Sequence, residues 1–378
     1  MKITDITGTA VRADYRPEYM KDKRYYVKDE TQVNVIVQIH TDEGVVGIGE
    51  AAHCPGLYGE TAPSTLGGIN LLKPGLVGLD PLQLTKANTL MDRYSPAGNV
   101  AAKAGIDIAL HDLAGKILGI PMYQLLGGRM HDGVPTHITP ATYEDTASDM
   151  GRLMSQGYRF FKQKMSGDTE YDLDIVRSLL PVIGDLATLS LDANQAWSVN
   201  QTLLIAEVLE REVPLRQKVI LEQPVLANDF SGLAKIRRST RFPVMADDGI
   251  RTVADLNRVI ESEAADIVSL KISRVGGVQK CQQMIRVAEA HNVDYIVDEI
   301  NEMKVANTAV AHLAVASRNP LYTGVACHTL FEQDIVASGG VTIVDGVANV
   351  SDLPGLGIGS ESALGVDVES TAVRYEYA

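Results

Sequence analysis

The sequence predicts an α/β protein: a (β/α)8-type TIM barrel preceded by an N-terminal α+β unit. Three observations carry this. From about residue 134, short apolar strands alternate with amphipathic helices over about 190 residues, and alternating β and α elements imply a parallel sheet. Eight strand segments can be read there, the number that closes such a sheet into a barrel. No glycine fingerprint follows the first strand, which disfavours an open doubly wound sheet.

Taken in order, "MKITDITGTAVRADY" alternates like a strand, and "VNVIVQIHTDEGVVGIGEA" alternates on both sides of a "DEG" turn, a hairpin signal. Between them "YRPEYMKDKRYYVKDE" is charged, aromatic and aperiodic, and predicts a loop. A second irregular stretch, "AHCPGLYGETAPS", follows Glu50. Helices then dominate to about residue 126. The clearest is "NVAAKAGIDIALHDLAGKILGI", with Ala102, Ile106, Leu110 and Leu113 on one stripe, Gly119 after its end and Pro121 beyond. The barrel strands are read at "VPTHITP", "FFKQKM", "ATLSLDA", "VILEQP", "PVMADD", "IVSLKIS", "DYIVDE" and "LYTGVA", each followed by a helix or a helix-length segment. The expected division is 1–125 for the N-terminal unit, 126–345 for the barrel, and 346–378 for a loop-rich tail that packs back on the first unit.

Of the 378 residues 45% are hydrophobic, enough for a substantial core. The net charge of −14 disfavours nucleic acid and anionic membrane surfaces as partners. The first residues lack the apolar core of a signal peptide, and no run of about eighteen apolar residues is present to span a membrane. Cys54, Cys281 and Cys327 are odd in number and widely spaced, which fits buried hydrophobes in a reducing cytoplasm better than disulfides or zinc.

Active sites of such barrels lie at the C-terminal ends of the strands. There the second strand carries Lys162 and Lys164, the third Asp192, the fourth Glu222, the fifth Asp247 and the sixth Lys271, about 24 to 30 residues apart. Singly, each has an ordinary explanation: an aspartate as helix N-cap, a glutamate solvated, a lysine reaching water. Together they do not. Three carboxylates converging on a barrel mouth repel one another. A divalent cation resolves this, and an all-oxygen set without His or Cys favours Mg²⁺ over zinc. Lys164 and Lys271 then flank the metal on opposite sides. The cation and Lys162 both disfavour a protonated Lys164, which fits it to act as a base. The chemistry this predicts is abstraction of a proton α to a carboxylate, through an enediolate stabilised by metal and ammonium.

These residues resemble the enolase superfamily, in its muconate-lactonizing-enzyme-like subgroup. "KQK", "DAN", "EQP", "ADD" and "LKI" stand in the family's order, "GVVGIGEA" resembles its N-terminal hairpin, "AGIDIALHDLAGKILGIPMYQLLGG" its entry helix, with His111 where a tryptophan is usual, and "PGLGIG" its tail. The resemblance implies a capping α+β domain, Asp192, Glu222 and Asp247 as Mg²⁺ ligands, and Lys164 and Lys271 as the acid/base pair. It also implies Asn194 and Asp248 beside the ligands, Glu302 after the seventh strand, and specificity loops at 14–30 and 52–62 that close over the substrate. There are departures. "DDG" replaces a frequent "DES". Thr329 stands where muconate cycloisomerases carry Glu, and the Asp-x-Asp pair of dipeptide epimerases is absent. Lys271 stands where the mandelate-racemase pattern needs a His–Asp base. His328, Thr329, Glu332, His53 and Tyr58 are specificity candidates, and Trp197 lies near enough to the mouth to line it. The expected function is a Mg²⁺-dependent racemase or epimerase of a small carboxylic or amino-acid derivative, with cycloisomerase or dehydratase as alternatives and a non-catalytic barrel as the distant one. The expected partners are a small carboxylate substrate and further copies of the chain.

Overall fold

The computed structural model describes residues 1–17, 31–140, 146–214 and 218–358. The lid expected at 14–30 thus falls, from residue 18 on, outside the described residues. The N-terminal unit opens with an antiparallel meander of β1 (Ile3–Asp14), β2 (Thr31–Thr41) and β3 (Val46–Ala51). Four helices follow: α1 (Pro55–Tyr58), α2 (Ala62–Leu72), α3 (Leu84–Tyr94) and α4 (Val100–Leu118).

Alternation along β3 explains how the two units meet. Gly47 and Gly49 face α4 so closely that a Cβ on either would stand 2.3 and 2.1 Å from the backbone oxygens of Ala109 and Gly105. Ile48 and Glu50 point the other way. Ile48 joins the barrel's hydrophobic core. Glu50 accepts from the backbone N–H groups of Met303 and Ala306 at 2.7 and 2.9 Å, so a carboxylate of the cap satisfies the first turn of a barrel helix. The single apolar stripe expected on α4 is too narrow a description. The helix is buried on every side from Ala101 to Gly115, as befits a helix packed between two layers.

After α5 (Met122–Leu125), β4 (Val134–Pro135) and β5 (His137–Ile138) divide what the sequence predicts as one strand. The barrel then runs through α6 (Thr146–Ser155), β6 (Phe160–Lys164), α7 (Thr169–Ile183), β7 (Thr188–Asp192), α8 (Val199–Glu212), β8 (Lys218–Glu222), α9 (Phe230–Ser239), β9 (Val244–Ala246) and α10 (Val253–Glu261). It continues with β10 (Ile267–Lys271), α11 (Ile272–Val275), α12 (Val278–Ala290), β11 (Asp294–Asp298) and α13 (Lys304–Ala316). β5 to β11 form one parallel seven-stranded sheet in sequence order. The eighth strand expected at "LYTGVA" is reduced to Thr323, which bridges Val297 on one side and Thr136 on the other and so closes the ring. The helix-length segment expected after it is a 3₁₀ turn, Cys327–Leu330. β4 pairs instead with a hairpin of β12 (Thr342–Val344) and β13 (Val347–Asn349). Beyond β13 the chain returns to the N-terminal unit, where Leu356 N–H donates to Asp112 at the heart of α4 at 2.9 Å.

Inside the barrel, polarity switches within two residues. Phe160, Ile220, Met245, Ile267, Ile296 and Tyr322 pack into an apolar plug. Two positions further along five of these strands stand Lys162, Glu222, Asp247, Ser269 and Asp298, which alternation returns to the same inner face. The plug fills the lower barrel and leaves the charged layer at the mouth.

Candidate active site

The carboxylates predicted from strand ends are not helix caps. The helix after β7 is capped by Ser198 and the helix after β9 by Thr252, which leaves Asp192 and Asp247 free for the barrel mouth. The backbone turns sharply just behind two of them. Asn194, Gln195 and Gln223 take positive φ values of 42°, 72° and 36°, costly for residues with a Cβ and common at functional sites. Gln223 uses its side chain to hold the next strand end, its Oε1 accepting from Asp247 N–H at 2.8 Å.

Asp192, Glu222 and Asp247 are each 0% exposed. Each accepts from a different lysine. Lys164 Nζ donates to Asp192, and to Asn194 Oδ1 at 3.0 Å. Lys162 Nζ donates to Glu222 at 2.7 Å. Lys271 Nζ donates to Asp247 at 2.9 Å. The two lysines of "KQK" therefore serve different acceptors. Ser190 Oγ takes the other oxygen of Glu222 at 2.7 Å, and Arg274 Nη1 the other oxygen of Asp247 at 2.5 Å.

Charge inside this mouth is set by burial against pairing. Burial pushes the Glu222 carboxyl up, Asp192 adds to it, and the result is about 7 in spite of Lys162. Burial acts the same way on Asp247, but Lys271 and Arg274 outweigh it and hold the group well below the usual carboxylate range. Burial also opposes the charge on Lys162 and Lys271. The carboxylates of Asp298 and Glu222, and of Asp247 and Asp298, outweigh it and keep both ammoniums well above their ordinary values.

Asp298, at the end of β11, escapes the sequence reading. One oxygen each of Glu222, Asp247 and Asp298 lies within 4.8 Å of the others, a grouping able to hold a cation among the described residues. The ligand set read from the sequence has Asp192 in place of Asp298. The signal for Asp298 was the one used elsewhere, a charged side chain at the end of an apolar strand segment, in "DYIVDE". His137 and Arg274 were likewise missed. Both are buried, and neither closes a strand.

The remaining candidates divide. Tyr58 lines the cavity above the lysines, and its hydroxyl donates to Asp248 at 3.2 Å; Gln195 Nε2 donates to the same carboxylate at 2.9 Å. The loop after Glu50 thus reaches the barrel mouth. Cys54 and Cys327 also line the cavity. Glu302 is 0% exposed and accepts from Ser273 Oγ at 2.7 Å, away from the cavity lining. Thr329 turns its hydroxyl onto Ala326 O at 2.6 Å, and His328 meets Asn307 at 3.3 Å. His53 is buried without lining the cavity, and burial lowers its imidazole to about 4. Glu332 is exposed. Trp197 donates its indole N–H to Asp172 at 2.8 Å and belongs to the core.

With this geometry in place, the comparisons with known proteins can be set beside it. Residues 145–362 match the family description "Enolase C-terminal domain-like", and residues 23–127 match "Mandelate racemase / muconate lactonizing enzyme, N-terminal domain". The chain belongs to this family of the enolase superfamily. The D-Ala-D/L-Ala epimerase of Cytophaga hutchinsonii is 33% identical, over 86% of this chain and 88% of that protein. The solved N-succinyl Arg/Lys racemase of Bacillus cereus superposes with a TM-score of 0.90 at 29% identity, covering 99% of each chain. A dipeptide epimerase of Cytophaga hutchinsonii, solved with Mg and the dipeptide D-Ala-L-Val, gives 0.86 at 30% identity over 97% of this chain and 98% of that one. Active sites of such barrels lie at the C-terminal ends of the strands, where the charged layer lies.

Proposed function

We propose that this enzyme is a Mg²⁺-dependent racemase or epimerase of a small carboxylic or amino-acid derivative. One observation carries the reading: Lys164 and Lys271 hang from opposite ends of the run of carboxylate-bearing strands, one on Asp192 and the other on Asp247. The donor set suits magnesium, since Asp192, Glu222 and Asp247 offer only hard oxygen atoms, at zero exposure, in a mouth negative enough to hold four cationic side chains. Bound there, Mg²⁺ would act as a Lewis acid on the substrate carboxylate and stabilise the charge that develops beside it.

The protein's own groups account for the rest. Lys164 removes the α-proton from one side of the substrate while Lys271 delivers a proton to the other, which inverts the centre; for the opposite enantiomer the roles exchange, and a cation held by Asp247 would offset the carboxylate charge that keeps Lys271 protonated. Lys162, held between Glu222 and Asp298, supplies fixed positive charge beside the developing enediolate. Tyr58, on the loop after Glu50, lines the cavity together with Lys164 and Lys271. We also propose that the enzyme is a cytoplasmic homo-oligomer; light scattering on the purified protein tests the assembly.

The test is deuterium uptake from D₂O across a panel of N-acyl amino acids, free amino acids, dipeptides and 2-substituted carboxylates. Exchange at the α-carbon with inversion is expected for some members, and removal of Mg²⁺ with EDTA should stop it. Ring closure or loss of water from the exchanging compound would reassign the enzyme as a cycloisomerase or dehydratase. No exchange by any member, with metal present, would defeat the reading.

A further inference from the structure

Asp298 lies where the two ends of the barrel sheet meet. It is 0% exposed, and its oxygens are engaged by four side chains on three other strands. Oδ2 accepts from Lys162 Nζ at 2.9 Å, from Ser269 Oγ at 3.0 Å and faces Lys271 Nζ at 3.4 Å. Oδ1 meets His137 Nε2 at 2.7 Å. His137 Nδ1 is buried and has no hydrogen-bond partner among the described residues. A proton there would be an orphaned donor, so the imidazole carries its hydrogen on Nε2 and donates to Asp298.

The surroundings are shaped around this pair. Gly324, next to the bridging Thr323, has no room for a side chain. A Cβ on it would stand 2.0 Å from Asp298 Oδ1 and 2.5 Å from His137 Nε2. The closing segment therefore has its glycine where the Asp298–His137 contact occupies the space. Without Asp298, the Lys162 and Lys271 ammoniums would keep Glu222 and Asp247 but lose the one carboxylate they share, and like charges in a buried mouth repel strongly.

We propose, building on the racemase reading, that Asp298 is a positioning residue: oriented by His137 and Ser269, it fixes the Lys162 and Lys271 ammoniums and so aims Lys271 at its face of the substrate. The competing role is a further metal ligand, because an oxygen of Asp298 lies within 4.8 Å of oxygens of Glu222 and Asp247. The four donors favour positioning. Two of them, His137 and Ser269, hold the carboxylate whatever the charge state of the lysines.

The variant Asp298→Asn separates the two roles. Calorimetry with Mg²⁺ alone should give an affinity within about twofold of the wild type, and a loss of tenfold or more would make Asp298 a ligand and overturn the proposal. Deuterium uptake should then be followed on both enantiomers of a compound that exchanges with the wild type. Misplacing a catalytic group by about 1 Å costs on the order of 10²-fold. Exchange through Lys271 should accordingly fall 10- to 100-fold further than exchange through Lys164. Equal loss on both faces, or none, would overturn it. If Asp298→Asn does not fold, His137→Gln and His137→Leu carry the same ratio. The glutamine, which keeps an N–H donor, should distort it less than the leucine, and equal behaviour of the two would count against the proposal. A wild type that exchanges no compound defeats the racemase reading and this inference with it. A wild type that exchanges while the ratio stays flat defeats this inference alone.

Discussion

From β6 to β10 the barrel is built from strands adjacent in sequence as well as in space, and each ends in or beside an ionisable side chain of the mouth. From β11 round to β5 it is built differently. β5 is only two residues long, the link between it and β11 is a single residue, Thr323, and the charged contact across the seam joins residues 161 apart in the chain, His137 and Asp298. In the proposed mechanism the arc carries the chemistry. The seam holds the geometry of the arc's last lysine. What the difference teaches is that a barrel can vary its reacting groups strand by strand only if some other part fixes where the ring closes. Here a buried imidazole–carboxylate pair packed against a glycine does so.

The largest expected effects break the arc. Lys164→Ala should abolish exchange from one enantiomer and Lys271→Ala from the other, each by about 10²–10⁴ in rate, as read by deuterium uptake. If one variant lost exchange from both enantiomers and the other were only slowed, a single lysine would do all the proton transfer, as a cycloisomerase or a syn elimination requires. Wild-type turnover in both would remove the two-lysine mechanism altogether.

A somewhat smaller effect tests the seam. Tyr322 is buried in the plug and stacks on Phe160 with ring centroids 4.6 Å apart. Tyr322→Ala should destabilise the protein by about 3 kcal/mol, the scale of deleting a buried aromatic side chain. It should also speed amide exchange at Gly324 and His137, whose N–H groups bond across the seam, more than at Leu191 or Leu221 in the arc. Uniform acceleration would mean that the seam is no weaker than the rest of the ring.

Smaller again is the link between cap and barrel. Glu50→Ala removes the acceptor for Met303 and Ala306 at the start of α13 and should cost about 0.5–2 kcal/mol, the range for a lost helix cap, visible as a lowered thermal midpoint. Glu50→Gln, which keeps one acceptor oxygen, should lose less. The smallest expected effect is none. Trp197 is bonded to Asp172 and belongs to the core rather than the cavity, so its fluorescence should not change when Mg²⁺ is added. A large change would place the indole nearer the mouth than this structure does.

How far these contrasts were legible depended on sequence distance. Lys164, Asp192, Glu222, Asp247 and Lys271 could be read because each stands at the end of its own apolar run, and local alternation decides which face a strand residue takes. Neighbouring strands in sequence are neighbours in the sheet, so their ends assemble without further information. The same local rules placed β1 to β3 and α4. They could not show that α4 is buried all round, because that depends on a second layer packing on its outer face. Nor could they show that Thr329 and Glu302 bond within their own surroundings, since the direction of a side chain in an irregular segment follows no period. Asp298 carried a strand-end signal, but its partner His137 and the room left by Gly324 come from opposite ends of the barrel sequence. Only closure of the ring brings them to hydrogen-bonding distance. The sequence by itself determined the barrel and the order of the ionisable groups at its mouth, because those follow from short periods and adjacent strands. The tertiary structure alone decided which carboxylate holds which lysine and where the ring locks, because those contacts join side chains that no local pattern relates.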